Sequence, residues 1–436
     1  MSPSMKTSFA SELEARGIIK QITDPGLPAL LDRQPLTLYA GFDPTADTLH
    51  VGSLLPLLTL KRFQMAGHTP IAVVGGATGM IGDPSGKTAE RTLLSNDILS
   101  KNVEGIRKTI GRFLDTQGPN AVRVVNNNDW FKGMGYTTFL RDVGKHFTVN
   151  HMMAKESVRA RLEDREHGIS YTEFSYMLLQ AYDFYVLHEK NRCTLQIGGS
   201  DQWGNITAGC ELIRRMAAAH QKPAPDVYGL THPLVMKSDG TKFGKTEQGS
   251  VWVDAERTSP YQFYQFFFQT ADDDVSTFLR YFSFKSLEEI QALETSLKKE
   301  PEKRLAQKAL AAEITELVHG KAALEKVEGA SQALFSTSLK DLDESTLLET
   351  FKDAPSTTFP LSRVAGSGSL LVDLIAESGL CNSKGAARKE IQGGGIYLNN
   401  ERVSDVAAAL KKELLISGKF AVLRRGKKTY HLLRFS

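Results

Sequence analysis

The sequence predicts an α/β protein built on a doubly wound parallel sheet, followed by an α-helical domain and a small α+β domain. Four short strand-like runs alternate with helical patterns through the first half of the chain. Strands and crossover helices in alternation are typical of a parallel sheet with helices on both faces. Beyond residue 259 the pattern becomes helical, and beyond residue 361 it becomes mixed and basic.

The elements of the first half can be placed from their residue patterns. The predicted strands are Thr37–Phe42, Thr69–Gly76, Ala121–Asn126 and Cys193–Gly199, and the predicted helices are Val51–Ala66, Thr88–Asp115, Tyr171–His188 and Asp201–Ala219. Glycine-rich segments lie at the ends of three of these strands, at Gly41, Gly75 and Gly198. Because ligands of such sheets bind beyond the carboxyl ends of the strands, we expect the functional site there.

Composition places the chain among globular proteins. It has 436 residues, of which 41% are hydrophobic and 24% charged, and this length fits two to four domains of roughly 100–200 residues each. No apolar run of about 18 residues predicts a membrane span, and no signal or transit pattern is recognisable, so we expect a cytoplasmic protein. Cys193, Cys210 and Cys381 lack metal-ligand spacing and are expected to be reduced thiols.

Basic residues are concentrated towards the C-terminal end. The formal net charge is +3, but residues 361–436 contain 13 lysines and arginines against 6 aspartates and glutamates. Such asymmetry is typical of a basic module that binds nucleic acid. A basic solvated face without a partner explains the charge equally well.

The same patterns suggest where the domains divide. The predicted domains are residues 1–248 for the sheet with its helical insertion, 249–335 for the helical domain and 370–436 for the basic module. Residues 336–369 are predicted to be a linker, because residues 353–368 are rich in Pro, Ser, Thr and Gly and show no clear period.

Two segments that end in Gly-Lys-Thr do not match a P-loop. Gly82–Thr88 and Gly240–Thr246 are each one residue short of the spacing that places an extra backbone N–H group around the phosphates. A GxGxxG dinucleotide-binding motif is also missing, since Gly76, Gly79 and Gly82 recur at every third residue. The sequence therefore excludes both of these glycine-rich phosphate sites.

Two other segments combine groups that bind phosphate. Residues 42–53 lead from the first strand into a helix, and a helix N-terminus attracts anions. In this segment Thr45 and His50 can donate hydrogen bonds to an anion, and Gly52 leaves room for a flat ring on the backbone. Residues 237–246 carry three lysines in a glycine-containing loop. Each segment taken alone is also explained by ordinary turn and helix-cap chemistry.

Together these segments resemble the two signatures of the class I aminoacyl-tRNA synthetases. His50-Val51-Gly52-Ser53 is similar to the HIGH motif, and Lys242-Phe243-Gly244-Lys245-Thr246 is similar to the KMSKS motif. Four longer blocks resemble the tyrosine-specific synthetases of the bacterial type: Tyr39–Asp47, Gly75–Lys87, Phe174–Asp183 and Gly198–Asn205. The resemblance runs from about Phe9 to the C-terminus and is weak only between about Glu294 and Pro360. It implies a Rossmann-like nucleotidyl transferase domain.

The sequence departs from the family pattern at two positions. Ser53 stands where the HIGH motif has its second histidine, and Ala40 lies on the side of the nucleotide. Neither change removes a group that the chemistry requires, although both can alter the affinity for ATP modestly.

A polar stripe on one predicted helix indicates a ligand cavity. Tyr176, Gln180 and Asp183 lie at i, i+4 and i+7 and share one face, while apolar residues occupy the other sides. Such a stripe either lines a cavity or braces the sheet as a buried polar network. The carboxylate of Asp183 and the hydroxyl of Tyr39 are suited to bind a phenol.

The resemblance implies a role for each of these residues. In the tyrosine pocket, Tyr39 and Asp183 would hold the phenol, Tyr176, Gln180 and Asp83 the ammonium group, and Gln202 would lie near the carboxylate. The residues implied to act on the β- and γ-phosphates are Thr45, His50, Lys87, Arg91, Lys242, Lys245 and Thr246. The implied ATP-binding residues are Asp43, Gly52, Gly199, Asp201 and Lys245. The amino-acid carboxylate is ionised at pH 7, so no general base is needed.

The basic module resembles the S4 RNA-binding domain, with two short helices followed by a turn, a strand and a hairpin. In that resemblance Lys384, Arg388 and Lys389 would face the RNA backbone. The family further implies ATP with Mg²⁺, no fixed protein metal site, L-tyrosine and tRNA(Tyr) as partners, and a homodimer.

Two alternative functions stay open from the residues. A tryptophan-specific enzyme of the same class is the nearer one, but Asp183 with Tyr39 suits a phenol better than an indole. An RNA-binding regulator without catalysis is the other, and the presence of His50, Lys87 and Lys242 argues against it. The resemblance therefore implies that the chain activates L-tyrosine with ATP, giving tyrosyl-adenylate and pyrophosphate, and then transfers tyrosine to the 3′-terminal adenosine of its tRNA.

Overall fold

The computed structural model describes residues 8–85, 94–163, 168–246, 249–335, 339, 342–352, 354–426 and 429–436. The helices are α1 (Phe9–Ala15), α2 (Leu27–Arg33), α3 (Leu54–Met65), α4 (Asn96–Phe113), α5 (Asn128–Phe131), α6 (Tyr136–Asp142), α7 (Val149–Met153), α8 (Glu156–Glu163), α9 (Tyr171–Asn191), α10 (Trp203–Ala219), α11 (Pro260–Phe268), α12 (Asp272–Phe282), α13 (Leu287–Lys299), α14 (Leu305–His319), α15 (Lys321–Phe335), α16 (Glu344–Thr350), α17 (Leu371–Glu377) and α18 (Lys384–Gln392). The strands are β1 (Gln21–Ile22), β2 (Thr37–Phe42), β3 (Thr69–Val74), β4 (Arg123–Asn126), β5 (Leu195–Gly199), β6 (Tyr228–His232), β7 (Lys245–Thr246), β8 (Gly249–Ser250), β9 (Ser356–Phe359), β10 (Ser369–Leu370), β11 (Ile396–Leu398), β12 (Glu401–Arg402), β13 (Ala409–Leu410), β14 (Phe420–Arg425) and β15 (Thr429–Phe435).

The chain divides into two compact units, the first comprising Met1–Arg257 and Gln269–Leu310 and the second Thr258–Phe268 and Ala311–Ser436. Within the described residues, the main sheet of the first unit has the strand order β1-β6-β5-β2-β3-β4. Strands β2 to β6 pair in parallel, and β1 pairs antiparallel with β6. The predicted α/β class is confirmed. The sequence does not predict β1 and β6, because β1 has only two residues and β6 has a single aliphatic side chain, Leu230, and so shows neither an apolar run nor an alternation.

The order in which strands are added to this sheet reverses between β2 and β5. Strands β3 and β4 extend the sheet on one side of β2, and then β5 returns to the other side of β2 and β6 follows it. Connections that leave two such neighbouring strands go to opposite faces, so a crevice opens at their carboxyl ends. The ends of β2 and β5 therefore mark the place where a ligand can bind.

Helix α9 is held at both ends and packs on this sheet. Its N-cap Ser170 accepts a hydrogen bond from the Glu173 N–H at 3.2 Å, and it ends at Arg192 in the left-handed conformation. Phe184 and Leu187 on its apolar side belong to the same buried cluster as Tyr39 of β2. This packing turns the polar stripe of the helix towards the carboxyl ends of the strands.

Helix α4 comes close to the segment that leaves β2. A Cβ atom at position 105 would overlap the carbonyl oxygen of Asp47, so this position of the helix requires glycine. The Asn102 side-chain amide donates a hydrogen bond to the Pro44 carbonyl at 3.0 Å. Residues 44–47 are therefore fixed against α4. Helix α4 begins at Asn96, and the earlier part of the predicted helix Thr88–Asp115 lies largely outside the described residues.

Two buried arginines fix the C-terminal end of α12. Arg16 donates hydrogen bonds to the carbonyls of Ser283 at 3.0 Å and Lys285 at 2.5 Å, and Arg62 donates to the same Ser283 carbonyl at 2.5 Å. The last carbonyls of a helix have no partner within it and carry partial negative charge, so buried guanidinium groups are stabilised there. These contacts hold α12 in a defined position within the first unit.

The second unit contains a sheet with the order β12-β11-β14-β15-β9 among the described residues. Its buried cluster includes Leu374 and Ile375 of α17 and Ile391 of α18, which confirms a small α+β domain at this end of the chain. The segment predicted as a linker carries α16 and β9, and β9 pairs in parallel with β15. Composition does not reveal β9, because an edge strand with exposed side chains lacks an apolar run.

Cys193, Cys210 and Cys381 are buried free thiols. In the part of the chain that the structure describes, we find no helix whose length and apolar character would allow it to cross a membrane.

Candidate active site

A cavity of about 390 Å³ lies where the strand order reverses. Residues of β2 and β5 line it, together with residues that follow β3, β4 and β6 and with one face of α9. The predicted site residues in its lining are Tyr39, Asp43, Gly52, Asp83, Tyr176, Gln180, Asp183, Gly199, Asp201, Gln202 and Lys242. Groups from distant parts of the sequence therefore meet in one cavity, as the predicted topology requires.

Asp183 is a buried carboxylate held by two donors. The Trp130 indole N–H donates to its Oδ1 at 2.8 Å, and the Asn127 amide donates to its Oδ2 at 3.1 Å. The hydroxyl of Tyr39 is also buried and makes no hydrogen bond to any described residue. A carboxylate retains further lone pairs after accepting two bonds, so this pair offers both an acceptor and a donor to a ligand hydroxyl.

Burial sets the protonation behaviour of this pair. It raises the pKa of Asp183 to about 7, while the hydrogen bonds from Asn127 and Trp130 favour the charged form and oppose that rise. Burial and the nearby Asp183 charge raise the pKa of Tyr39 well above its usual value. Tyr39 therefore stays a neutral donor at pH 7, and Asp183 is divided between its two protonation states.

A second polar network lies across the cavity from β5 to α9. The Gln202 amide donates to Asp83 at 2.7 Å, and the Asn205 amide donates to Gln202 at 3.1 Å and to Gln180 at 3.3 Å. Tyr176 of the same helix face is buried beside this network in the cavity wall. The network presents carboxylate and amide oxygens, which are the acceptors that an ammonium group needs.

The two signature segments lie side by side. The Val51 N–H donates to the Val251 carbonyl at 2.9 Å, and the Val253 N–H donates to the Leu49 carbonyl at 3.0 Å. His50 lies between these bonds, opposite Trp252. Residues 251–253, which follow the lysine-rich loop, are therefore paired with the histidine-containing segment by backbone hydrogen bonds.

His50 caps the 3-10 helix Val51–Ser53. The Gly52 N–H donates to His50 Nδ1 at 3.0 Å, so in the neutral ring the proton lies on Nε2, which can donate to an anion. A Cβ atom at Gly52 would lie 2.6 Å from the imidazole. The glycine thus makes room for the histidine ring as well as for the cavity that it lines.

The lysine-rich loop is anchored at both ends. The Ser238 N–H donates to the buried Asp274 of α12 at 2.7 Å, and the ring of Phe243 packs on Phe278 and Phe282 of the same helix. Gly244 has φ of +89°, and a Cβ there would lie 2.9 Å from Val51. These contacts place the exposed Lys242 in the cavity lining between two fixed points.

Lys242 acts electrostatically on a carboxylate of the β5 end. Burial raises the pKa of Asp201, and the positive charge of Lys242 opposes that rise. Gln202 donates to Asp201 at 3.2 Å, so this carboxylate is linked to the amide network. This side of the cavity therefore combines a half-buried carboxylate with an exposed positive charge.

Some of the predicted residues are not in the cavity wall. Thr45 is exposed, and it and His50 lie beside the cavity and not in its lining. Lys87 and Arg91 fall outside the described residues. For Lys245 and Thr246 the backbone forms β7, whereas their side chains lie outside the description.

The structure also adds residues that the sequence analysis missed. Asn127 and Trp130 directly follow β4, and the rule that ligands lie beyond strand ends could have identified them. Asn205 lies one helical turn beyond Gln202. His232 ends β6 and lines the cavity, and it carries no signal because β6 is not predicted.

The three residues predicted to contact RNA lie on helix α18 of the second unit. Lys384 forms an ion pair with Asp373 at 2.8 Å. Arg388 and Lys389 are exposed, and among the described residues no hydrogen bond or ion pair engages their charges. Arg424 of the adjacent sheet lies over the ring of Tyr397 at 3.7 Å, so a further cation and an aromatic ring are present in this unit.

Comparison with known families gives two matches. The model described as "tRNA synthetases class I (W and Y)" matches residues 31–336. The model described as "Tyrosine--tRNA ligase SYY-like C-terminal domain" matches residues 346–433.

Curated relatives cover almost the whole chain. The chain is 54% identical to the tyrosine–tRNA ligase of Bacillus caldotenax over 428 residues, which are 98% of this chain and 99% of that protein. It is 52% identical to tyrosine–tRNA ligase 1 of Bacillus subtilis over 431 residues, 98% of this chain and 100% of that protein.

Solved structures share the fold. A C-terminally truncated mitochondrial tyrosyl-tRNA synthetase from Aspergillus nidulans is 31% identical with a TM-score of 0.66, over 76% of this chain and 95% of that chain. A tryptophanyl-tRNA synthetase from Encephalitozoon cuniculi is 16% identical with a TM-score of 0.52, over 72% of this chain and 87% of that chain, and it is similar in fold alone.

The donors to Asp183 can be tested by replacing Trp130 with phenylalanine, which keeps an aromatic ring and removes the N–H. Because the lost hydrogen bond favours the charged carboxylate, we expect the pKa of Asp183 to rise above its value of about 7. NMR titration of ¹³C-labelled aspartate carboxyl groups measures it. Trp203→Phe is the matched control and should leave this titration unchanged, whereas an unchanged titration in Trp130→Phe would contradict the assignment.

Proposed function

The chain belongs to the class I tRNA synthetases of the tryptophan and tyrosine group and is a tyrosine–tRNA ligase, and we propose that the cavity at the reversal of strand order activates L-tyrosine with ATP. The observation that carries this proposal is the buried pair of Asp183 and Tyr39. A phenol hydroxyl between them donates to the carboxylate and accepts from Tyr39. The alternative of a regulator without catalysis is not favoured, since the relatives over the whole chain are ligases.

The same pair explains selection against phenylalanine. A ligand without the hydroxyl leaves a buried carboxylate and a buried hydroxyl without their partner, and burying unpaired polar groups is costly. Tyrosine-specific synthetases are themselves the established example of such rejection. Asn127 and Trp130 already donate to the two oxygens of Asp183, one to each, so the carboxylate is oriented before the substrate arrives.

The remaining groups of tyrosine fit the second polar network. We propose that Asp83, Gln180 and Tyr176 surround the ammonium group, because their oxygens converge near the network of hydrogen bonds described above. Gln202 lies beside Asp83 and is placed near the carboxylate of the substrate. The amino acid is thereby held at both ends, with its carboxylate towards the nucleotide side of the cavity.

Activation is a displacement at phosphorus. A carboxylate oxygen of tyrosine forms a bond to the α-phosphorus of ATP, and the bond from that phosphorus to the bridging oxygen breaks, so pyrophosphate leaves with the electron pair. The nucleophile is already ionised at pH 7, and no general base is required. The chain therefore contributes positioning and stabilisation of negative charge.

Charge on the leaving phosphates requires donors near the two signature segments. We propose His50 Nε2, Thr45 and Lys242 for this role, since both segments are held together at the mouth of the cavity. Lys87, Arg91, Lys245 and Thr246 are proposed for the same role from the family resemblance. Mg²⁺ is proposed to enter with ATP, bound to its phosphates and not to a fixed protein site.

The ribose and base occupy the other half of the cavity. We propose that Asp201 and Gly199 at the end of β5 contact the ribose and that Asp43 and Gly52 lie along the nucleotide. In the second step a ribose hydroxyl of the tRNA 3′-terminal adenosine attacks the carbonyl carbon of tyrosyl-adenylate. Its oxygen gains the tyrosyl group, the bond from the carbonyl carbon to the phosphate oxygen breaks, and AMP leaves and takes up the hydroxyl proton.

We propose that the basic module, residues 370–436, is an S4-like domain that binds tRNA(Tyr), with Arg388 and Lys389 on the RNA backbone. The division into residues 1–248, 249–335 and the C-terminal module remains part of the same proposal. Because tRNA charging serves the ribosome and the three cysteines are free thiols, we place this activity in the cytoplasm.

A homodimer is proposed from the family, and exposed apolar side chains support it. Tyr136, Val149, Met153, Leu162 and Tyr171 on helices α6 to α9 are all at least 44% exposed. The hydroxyls of Tyr136 and Tyr171 lie 3.0 Å apart, so at least these two exposed rings are neighbours, and adjacent exposed apolar groups are typical of a protein interface. We therefore propose that a second copy of the chain covers this segment.

Amino-acid-dependent exchange of pyrophosphate into ATP tests the activity. We expect exchange with tyrosine and none with phenylalanine or tryptophan. The kcat/KM for tyrosine should fall as the pH is lowered through about 7, because protonation removes an acceptor from Asp183. Exchange with tryptophan would refute the assigned pocket, and no exchange from the folded chain would refute the activity.

The tRNA contact is tested by binding at increasing salt concentration. Each neutralised phosphate releases counterions, so Arg388→Ala should reduce the slope of log affinity against log salt by about one. Arg363→Ala is the matched control, since Arg363 is already paired with Glu377 at 3.0 Å. Equal slopes for the Arg388 variant and the unchanged chain would contradict the assignment.

Light scattering tests the dimer. We expect twice the chain mass of 48.1 kDa for the unchanged protein and a single chain mass for Val149→Asp, because a buried charge without a partner disfavours association. Met65 is equally exposed but lies on α3. Met65→Asp should therefore leave the mass unchanged, and a dimeric Val149 variant would place the interface elsewhere.

A further inference from the structure

His232 lies in the nucleotide half of the cavity and has no place in the mechanism above. It is the last residue of β6, directly opposite Gly199 of β5 in the parallel pairing. Its side chain is only 4% exposed, yet it lines the cavity together with Leu234, Val235 and Met236, which follow it.

The hydrogen bonding of His232 fixes its tautomer. Nδ1 lies 3.0 Å from the carbonyl oxygen of Pro233. Because a carbonyl oxygen only accepts, Nδ1 carries the proton of the neutral ring, and Nε2 is left as an acceptor. Burial lowers the pKa of His232 to about 4, so the ring is neutral at pH 7.

The Nε2 acceptor is buried and receives no hydrogen bond from any described residue. An unpaired buried acceptor destabilises the structure, and in functional sites such groups are commonly matched by the ligand. The side chains that follow His232 along the cavity are the apolar ones of Leu234, Val235 and Met236, and they offer no N–H or O–H donor. None of these three side chains competes for Nε2, so a bound nucleotide can supply the missing donor.

We propose that His232 Nε2 accepts a hydrogen bond from the exocyclic amino group of adenine and thereby selects ATP over purine triphosphates that lack this group. The inference rests on the proposed function, which places ATP in this half of the cavity. Adenine carries an N–H donor at C6, whereas hypoxanthine and guanine carry a carbonyl acceptor there. The Pro233 carbonyl holds the proton on Nδ1. The ring therefore cannot donate an N–H to the C6 carbonyl of hypoxanthine or guanine without losing its hydrogen bond to Pro233.

A purely structural role for His232 makes a different prediction. In that case the ring only holds the Pro233 carbonyl and so shapes residues 233–236. Asparagine places an amide where Nδ1 lies, and glutamine places one near Nε2. His232→Asn therefore preserves the hydrogen bond to Pro233 and removes the acceptor for the adenine amino group. His232→Gln removes the hydrogen bond to Pro233 and preserves the acceptor.

The test compares three nucleotides in tyrosine-dependent pyrophosphate exchange: ATP, ITP with oxygen at C6, and purine riboside triphosphate with hydrogen at C6. For the unchanged chain we expect kcat/KM to be at least about tenfold higher with ATP than with either analogue, the effect of one hydrogen bond. His232→Asn should lose this preference, and His232→Gln should retain part of it. The KM for tyrosine should stay the same in both variants.

Three results would overturn the proposal: equal use of ATP and purine riboside triphosphate by the unchanged chain, a preserved preference in His232→Asn, or losses of equal size in both variants. The unchanged chain alone decides the first of these, so the proposal stays testable if a variant does not fold. Absence of any exchange would refute the proposed function instead. Calorimetric binding of ATP and its C6 analogues would then still measure the base preference.

Discussion

A buried carboxylate determines the arrangement of the cavity. Asp183 lies 3% exposed among the side chains of α9, where an ionised group is costly unless hydrogen bonds compensate for lost water. Trp130 and Asn127 supply two of these bonds, and both come from the segment that follows β4. That segment must therefore pack against α9 from across the sheet. Burial raises the pKa of Asp183 and the two hydrogen bonds lower it, and the result is a pKa of about 7. The carboxylate keeps lone pairs that can accept further hydrogen bonds.

Backbone pairing of the two signature segments provides the second constraint. Residues 49–51 and 251–253 are far apart in the chain but are joined by two backbone hydrogen bonds. The intervening lysine-rich loop is held at Ser238 and Phe243 by α12, and α12 is in turn held at its end by buried arginines. The loop is therefore anchored through the Ser238 backbone and the Phe243 ring, and the exposed Lys242 adds positive charge to the cavity lining.

Site residues are predictable from the sequence when their roles depend on neighbours in the chain, and they are not when their roles depend on contacts with distant segments. The polar stripe of Tyr176, Gln180 and Asp183 depends on helical spacing alone, and the structure places all three in the cavity lining. The strand-end rule can place Asn127 and Trp130 near the site, but their role as donors to Asp183 depends on a contact with α9 that spans the sheet. The strand β9 was missed for a related reason, since its pairing with β15 joins residues about 76 positions apart.

By itself the sequence determined the alternation of strands and helices, the polar face of α9 and the two signature segments, because each depends on residues within a few turns of one another. The tertiary structure decided which groups are partnered. It orients Asp183 through donors from another part of the sheet, and it assigns Nδ1 of His50 to its own helix cap. It also buries His232 at the end of an unpredicted strand. Hydrogen-bond partners and burial depend on packing between distant segments, and local residue patterns do not predict this packing.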